Sequence, residues 1–266
     1  MGRIPGGYIG IGPPAPSTSS AVGVWPLHLH YWYKRNSMWP PSNATDQDFS
    51  SVSLLLHMDG SNASTTFTDS SSNAFSATAN GNAQISTTQS KFGGASGKFD
   101  GSGDYVQITS ANALELGSGD FTIELWYYHD GGNQTYAGLV GKGPVGSTTS
   151  DAWTLEFGGS GIIFVPWAAT TQTVTTTQPS QNAWHHVAVT RSGSTLRLFI
   201  DGVQSASNTV SFTVSTNNSG PLVIGGGAYA PSTRSFSGYI DDLRITKGVA
   251  RYTAGFTPPT AAFPDS

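Results

Sequence analysis

Apolar and polar residues alternate over much of this chain. This two-residue period is that of a half-buried β-strand rather than of a helix. The pattern is clearest along residues 187–190 and again along residues 196–200. Gly193 lies between these two runs and is free to adopt a positive φ. Asp201 and Gly202 follow the second run, and this pair is a strong signal for a two-residue hairpin turn. The pattern therefore predicts a tight antiparallel meander.

Short apolar segments of strand-like composition recur after residue 51, and most are bounded by Gly, Pro, Asn or Ser. The predicted strands outside the meander are residues 52–58, 74–79, 97–99, 105–108, 121–128, 137–140, 153–157, 162–167, 210–214, 222–225 and 236–246. About a dozen short strands are enough for two packed sheets, so the pattern predicts an all-β sandwich. The threonine-rich residues 170–177 are interpreted as strand or loop.

Composition supports the all-β prediction and narrows the classes of partner. Only 11% of the residues are charged, and the 33 Gly with abundant Ser and Thr disfavour helices. The net charge is −4 and the 12 Lys and Arg form no run, so nucleic acid is not an expected partner. The absence of cysteine excludes a disulfide framework and thiolate metal sites. No apolar run approaches about 18 residues and the amino terminus lacks the apolar core of a signal peptide, so we expect neither membrane insertion nor export by such a signal.

The amino-terminal region has a different composition from the rest of the chain. Residues 1–24 are rich in Gly, Pro and Ser and cannot bury enough surface to fold alone. Residues 24–40 hold a dense group of aromatic side chains, in which Trp25, Leu29 and Trp32 recur at helical spacing. The region is therefore predicted to be an extended arm that contains one short helix.

The aromatic side chains of the arm allow two interpretations. They pack onto the β domain, or they dock into another subunit or another protein, where such side chains anchor interfaces. We favour docking. The anchoring residues would then be Trp25, Leu29, Trp32 and Trp39. The predicted organisation is an arm over residues 1–50 followed by a β domain over residues 51–266.

Four motifs in the β region resemble those of a known fold family. They are DFTIELW at residues 120–126, WHHVAVT at 184–190, DG at 201–202 and GYIDDLRI at 238–245. In this order they are similar to the laminin-G-like, concanavalin A-like jelly-roll domain. The resemblance covers about residues 52–266 and implies two antiparallel sheets of six or seven strands. It also implies a role in glycan binding or in assembly.

Two further segments resemble structural proteins of tailed bacteriophages. The first comprises GVWPL at residues 23–27 together with Trp39 and Pro40. The second is the ending from Thr246 to Asp265, which is similar to phage-borne laminin-G-like domains. These resemblances imply that the arm belongs to a virion protein.

The jelly-roll resemblance also implies a calcium site. Many laminin-G-like and pentraxin-like domains hold Ca²⁺ between the loop after the first strand and an Asp of the last strand, and oxygen ligands from distant loops suit this ion. The matching residues here are Asp59, Asp69 and Asp241. An Asp before Gly, as at Asp59, also simply favours a turn, so both interpretations stay open.

Glycan binding would need exposed aromatic rings that stack on sugar faces. The candidate residues are Tyr127, Tyr128, Tyr136, Trp167 and Tyr229. Aromatic side chains in sheets are more often part of the core, which is the competing interpretation for each of them.

The sequence does not predict catalysis. Glu115, Glu124 and Glu156 stand apart in the chain, whereas glycosidases need two carboxylates about 5–10 Å apart. His185 and His186 are adjacent, so on a strand they point to opposite faces and cannot chelate one ion together.

These observations predict a non-enzymatic structural protein of a bacteriophage virion: a capsid decoration, a head or tail fibre, or an adhesin. The arm would anchor it to the particle, and the lectin-like domain would be displayed and bind host glycans. Expected partners are other virion proteins, further copies in a homo-oligomer and host cell-surface glycans, with assembly in the host cytoplasm. The alternatives are a secreted carbohydrate-binding or adhesion module and a polysaccharide-degrading enzyme.

Overall fold

The computed structural model describes most of the chain beyond residue 44. The described residues are 45–109, 111–131, 135–144, 152–159, 161–167, 173–174 (backbone only), 177–211 and 220–266. By compactness the chain divides into Met1–Thr45 and Asp46–Ser266, and all elements described below belong to the second unit. The arm helix and the anchoring residues Trp25, Leu29, Trp32 and Trp39 lie outside the described residues. The predicted boundary at residue 50 stays a prediction.

The described part of the chain is built almost entirely of β-strands. They are β1 Val52–Leu56, β2 Ala77–Asn80, β3 Gln84–Ser86, β4 Ser96–Asp100, β5 Tyr105–Ile108, β6 Phe121–His129, β7 Gly138–Lys142, β8 Trp153–Phe157, β9 Ile162–Pro166, β10 Thr173–Val174, β11 Trp184–Ser192, β12 Thr195–Ile200, β13 Val203–Thr209, β14 Leu222–Ile224 and β15 Ser237–Lys247. Two short 3₁₀ helices cover Phe49–Ser51 and Asn112–Leu114. Within these residues no helix is long and apolar enough to cross a membrane.

The strands form two antiparallel sheets. Sheet 1 has the order β13-β12-β11-β6-β15-β4-β3, and β1 pairs with β15 as its eighth strand. Sheet 2 has the order β10-β9-β8-β7-β14-β5-β2. Two antiparallel sheets packed face to face confirm the prediction of an all-β jelly-roll sandwich. Sheet 1 has one strand more than the six or seven that the resemblance implied.

The predicted meander is confirmed as β11, β12 and β13. Ile200 pairs with Val203, so Asp201 and Gly202 are the two residues of the hairpin turn. Both have positive φ, 49° and 78°, which is the backbone of a type I′ turn. Gly193 has a φ of 58° in the turn between β11 and β12.

Some predicted strands differ from those in the structure. β3 was not predicted because its three residues are too few and too polar to show alternation; it forms by pairing with β4. Residues 74–76 are not a strand: Ala74 takes a φ of 47°, and extended structure begins at Ala77. The strand predicted for residues 210–214 is wrong at its start, because β13 already ends at Thr209, and residues 212–219 lie outside the described residues.

The core lies between the sheets and follows the alternation along each strand. On β6, Ile123 and Leu125 belong to the core, and Glu124 and Trp126 therefore point to the outer face of sheet 1. Residues 249–266 cover that face. Within this segment Tyr252 and Phe256 stack with ring centroids 3.5 Å apart.

A buried network of charges lies beneath the carboxyl-terminal segment. Arg244 donates from Nη2 to Glu124 at 2.7 Å and from Nη1 to Asp46 at 2.9 Å. Arg251 also donates to Asp46, and the Tyr252 hydroxyl donates to Glu124 at 2.8 Å. Burial by itself raises the pKa of Glu124, but Arg244 and His186 together outweigh it and lower the pKa to about 2. The network therefore ties both ends of the domain to sheet 1.

Candidate functional site

The outer face of sheet 2 carries the arrangement best suited to binding. Leu155 and Phe157 of β8 point into the core, so the intervening Glu156 points outward. The same alternation along β9 brings Trp167, directly after the strand, to this face. Residues from two loops join them there.

The loop between β14 and β15 lies against β7 and supplies two of these residues. The carbonyl of Arg234 accepts hydrogen bonds from the backbone N–H groups of Gly138 and Gly227. A Cβ at Gly138 would collide with the carbonyl of Gly226, so only glycine allows the loop to approach this closely. This close approach holds Tyr229 and Arg234 over the sheet.

Two tyrosine rings flank the guanidinium of Arg234. Its central carbon lies 4.6 Å from the centroid of Tyr136 and 4.4 Å from that of Tyr229. Both distances are within the range of favourable cation–π contacts. We call Tyr136, Glu156, Trp167, Tyr229 and Arg234 the Arg234 cluster. Half of the Tyr136 side chain is exposed, so the cluster opens to solvent.

The backbone of Tyr136 is strained. Its φ is 63°, in the left-handed region that bulky residues rarely adopt, at a cost of about 1–2 kcal/mol. The backbone N–H donates to the carbonyl of Phe157 at 2.7 Å, which holds the residue in place. Such strain is concentrated at functional sites.

Glu156 lies beneath Arg234 and is almost completely buried. Its oxygens are 3.4 and 3.5 Å from Nη1 of Arg234, which is long for an ion pair. Burial raises the pKa of Glu156 to about 7, and Arg234 only partly opposes the shift. At mildly acidic pH Glu156 is therefore protonated.

Trp167 closes one side of the cluster. Its ring meets Tyr229 edge to face, with centroids 5.6 Å apart and planes at 85°. The indole Nε1–H is buried and has no hydrogen-bond partner among the described residues. An unpaired buried donor costs about 1–3 kcal/mol.

The structure brings together three of the five aromatic residues predicted for glycan binding: Tyr136, Trp167 and Tyr229. The prediction for Tyr127 is wrong. Tyr127 is fully buried in the core between the sheets, because the alternation along β6 turns it inward, and no sugar reaches it. Tyr128 points the other way and packs against Trp184 and Tyr239 on sheet 1, apart from the cluster.

The central residue, Arg234, was not a candidate in the sequence analysis, and Glu156 was considered only as a catalytic carboxylate. Arg234 lies 78 positions from Glu156 and in no recognisable motif. The preceding run Gly225-Gly226-Gly227 signals a loop that approaches another backbone closely, but it does not reveal which side chains the loop carries.

Two of the three predicted calcium ligands, Asp59 and Asp241, lie near enough to each other to interact electrostatically. Asp241 is completely buried at a bulge of β15, and its Oδ2 accepts hydrogen bonds from the backbone N–H groups of Lys91 and Phe92. Its Oδ1 has no partner among the described residues. Burial raises the pKa of Asp241 to about 7 despite these bonds, and Asp242 and Asp59 add to the shift. Among the residues that the structure describes, no cation forms an ion pair with this carboxylate.

Asp69 is engaged elsewhere. It accepts four hydrogen bonds, from the backbone N–H groups of Leu55, Ser71 and Phe75 and from the Ser71 hydroxyl. These bonds use both of its oxygens to shape the loop after β1. In the described part of the chain, no group of three or more His, Cys, Asp or Glu side chains has a metal-binding arrangement.

The other carboxylates considered for catalysis form internal ion pairs. Glu115 accepts a hydrogen bond from Lys142 at 2.7 Å, and Glu124 belongs to the buried network with Arg244. His185 and His186 have separate partners: His185 pairs with Asp201, while the ring of His186 packs against Trp126. They cannot share one ion.

A polar cleft of about 380 Å³ lies beside β3 and β4. It is lined by Thr65, Gly81, Asn82, Ala83, Gln84, Lys98, Asp100 and Asp104. No aromatic ring lines it, and Asp104 is already committed to backbone N–H groups of Asn82 and Asp100. It offers no surface on which a sugar ring can stack.

Solved structures share this fold at low sequence identity. Domain 4 of AbnA, a GH43 extracellular arabinanase from Geobacillus stearothermophilus, in complex with arabinotriose, matches with a TM-score of 0.57 and 17% identity over 75% of this chain and 93% of that chain. The binding domain of Paraclostridial Mosquitocidal Protein 1 has a TM-score of 0.56 and 13% identity, over 79% and 51%. The binding domain of Botulinum Neurotoxin DC, in complex with SialylT, has a TM-score of 0.53 and 15% identity, over 82% and 50%. The chain thus spans about half the length of the two toxin domains.

A search of the curated proteins gave no match. A family model, Laminin_G_3, described as the concanavalin A-like lectin/glucanases superfamily, matches residues 100–251, which is more than half of the chain. The matched range includes the whole Arg234 cluster. The laminin-G-like resemblance is confirmed, and the chain belongs to the concanavalin A-like lectin/glucanases superfamily.

Proposed function

We propose that this protein is a non-enzymatic glycan-binding domain whose binding site is the Arg234 cluster. The observation that carries the proposal is the contact of Tyr136 and Tyr229 with the guanidinium of Arg234 on the outer face of sheet 2, where half of Tyr136 is open to solvent. Aromatic rings give a sugar an apolar face to stack on, and the guanidinium supplies donors for its oxygen atoms. The outer face of sheet 1 is less suitable because the carboxyl-terminal segment covers its buried charged network.

Replacing Tyr136 by glycine is expected to weaken glycan binding at least about tenfold, because the exposed ring is lost. Stability should change by less than about 1 kcal/mol, since glycine relieves the left-handed strain while adding backbone entropy to the unfolded chain. Binding is measured on an array of immobilised oligosaccharides, and stability by urea unfolding.

The matched control is Tyr128→Ala, which removes a partly exposed tyrosine from sheet 1. It should leave glycan binding unchanged. Loss of glycan binding in Tyr128→Ala, with normal binding in Tyr136→Gly, would show that glycans bind to sheet 1 rather than sheet 2. This result would refute the proposal.

One observation favours glycoside hydrolysis as an alternative function. The carboxyl group of Glu156 has a pKa raised to about 7, which suits a general acid. The reaction needs a second carboxylate within about 10 Å. Among the described residues, the structure pairs Glu156 only with Arg234, and the remaining glutamates are held in ion pairs. We therefore favour binding without hydrolysis; release of reducing ends from host polysaccharide would contradict this.

The setting that we propose for this domain is a bacteriophage virion, assembled in the host cytoplasm. The support comes from the sequence: residues 23–40 and 246–265 resemble segments of tailed-phage structural proteins. In this proposal the arm anchors a homo-oligomer to capsid or tail proteins, and the jelly roll is displayed towards host glycans. A secreted adhesion module would use the same glycan site but would need no particle.

Deleting residues 1–44 is expected to abolish incorporation into purified particles while the β domain stays folded. The deletion keeps Asp46, which pairs with Arg244 and Arg251. A full-length control with Trp25, Leu29, Trp32 and Trp39 changed to alanine should behave like the deletion. Particles that incorporate the truncated protein at the normal level would contradict anchoring by the arm.

We also propose that Asp241 and Asp59 bind Ca²⁺. Two observations support this site. The buried Oδ1 of Asp241 has no hydrogen-bond partner among the described residues, and the charge of Asp59 contributes to the raised pKa of Asp241. Two carboxylates are fewer than the six to eight oxygen ligands that Ca²⁺ takes, so backbone carbonyls and water would complete the shell. Asp69 is left out because its oxygens already accept four hydrogen bonds.

A further inference from the structure

Arg234 has more hydrogen-bonding capacity than its neighbours use. A guanidinium carries five N–H donors, but the only hydrogen bonds from this side chain among the described residues run from Nη1 to Glu156. They measure 3.4 and 3.5 Å, whereas a good charge-assisted bond measures about 2.7–2.9 Å. The donors on Nε and Nη2 are therefore left for a ligand.

The flanking rings hold the guanidinium ready for that ligand. Contacts of 4.6 and 4.4 Å with Tyr136 and Tyr229 restrict a side chain that would otherwise lose much rotamer freedom on binding. A quarter of the Arg234 side chain remains exposed, so solvent reaches it. The charge is thus both oriented and accessible.

The charge of Arg234 is also poorly compensated. Glu156 is the only carboxylate that contacts it among the described residues, and burial raises the pKa of Glu156 to about 7. The other two neighbours, Tyr136 and Tyr229, contact the guanidinium through their aromatic rings and add no carboxylate. Below pH 7 the cluster therefore carries a net positive charge.

We propose that the Arg234 cluster selects glycans that contain a carboxylate-bearing sugar, such as a uronic or sialic acid residue. The guanidinium of Arg234 pairs with the carboxylate, and the exposed side of the Tyr136 ring contacts the sugar. A planar carboxylate matches the guanidinium fork with two parallel hydrogen bonds, which a sugar hydroxyl cannot do. This inference rests on the proposed glycan-binding function and specifies its ligand class.

The test compares each acidic ligand with its own neutral methyl ester. Tetragalacturonate and 3′-sialyllactose, with their methyl esters, are titrated into the full-length protein at pH 6 by calorimetry. At least one acid should bind about 10- to 100-fold more tightly than its ester. Arg234→Gln should remove this advantage, so that acid and ester bind the variant about equally, whereas Arg234→Lys should retain part of it.

The double variant Arg234→Gln/Glu156→Gln controls for misfolding of Arg234→Gln. It removes both members of the ion pair, so no carboxylate is left buried without its partner. It should behave like Arg234→Gln. If acid and ester bind the natural protein equally, the inference fails while the glycan-binding function stands. If no acidic or neutral oligosaccharide binds, the proposed function itself fails. Tighter binding of a sulfated tetrasaccharide through Arg234 would overturn the assignment to carboxylates.

Discussion

Replacing Arg244 by methionine should lower the free energy of unfolding by about 3–5 kcal/mol, the largest effect that we expect from a single substitution. Arg244 donates two hydrogen bonds to the fully buried Glu124, at 3.0 and 2.7 Å, and one to Asp46. Its guanidinium also lies 3.8 Å from the ring centroid of Phe263. Without it, Glu124 would be a buried carboxylate without its main cation. Urea unfolding of the full-length protein measures the loss.

The double variant Arg244→Met/Glu124→Leu should recover at least half of that loss, since an apolar pair often replaces a buried ion pair at little cost. Arg197→Met is the matched control on β12. Nη1 of Arg197 is buried without a hydrogen-bond partner among the described residues, so its removal should cost less than about 1 kcal/mol. An Arg244→Met protein as stable as this control would show that the network does not stabilise the domain.

At pH 8, removing calcium from the natural protein should lower the free energy of unfolding. Replacing Asp241 by asparagine in the absence of calcium should raise it. The folded-state pKa of Asp241 is raised to about 7, so its contribution to stability is present below about pH 4 and is lost as the pH rises through 7. At pH 8 without metal, Asp241→Asn should therefore raise the free energy of unfolding by about 2–4 kcal/mol. The asparagine oxygen can still accept from Lys91 and Phe92.

Calcium should offset most of this difference. At a Ca²⁺ concentration about 100 times the dissociation constant, the natural protein should gain about 2.7 kcal/mol, whereas Asp241→Asn should gain nothing measurable. Thermal unfolding with Ca²⁺ and with a chelator provides the comparison. Magnesium at the same concentration controls for unspecific effects of divalent ions. If calcium leaves the thermal unfolding midpoint of the natural protein unchanged, the calcium proposal is wrong.

The fold was largely predictable because its strongest signals are local. The meander of β11, β12 and β13 needs only alternation and an Asp-Gly turn, which lie within neighbouring residues. β3 escaped prediction because its formation depends on pairing with β4 rather than on its own residues. A sequence pattern reports such non-local pairing only weakly.

The site was predictable only in part. Alternation along β6 assigns Tyr127 and Tyr128 to opposite faces but does not say which face is the core, so both were plausible ligand contacts. Tyr136, Trp167 and Tyr229 were predicted as aromatic candidates, yet nothing in the sequence indicated that they meet around Arg234. That meeting depends on the close approach of a loop to Gly138, which is a tertiary contact.

The most direct test of the glycan site follows the indole N–H signals of the full-length protein by NMR. The chain has seven tryptophans, and Trp167 is the one in the Arg234 cluster. The protein is titrated with an oligosaccharide that binds it on the array. The Trp167 signal should then shift in proportion to the fraction of protein that carries the ligand. The signals of Trp126 and Trp153, on the other sheet and in the core, should stay in place. An unmoved Trp167 signal, with a shift at Trp184 on sheet 1, would contradict the assignment of the site.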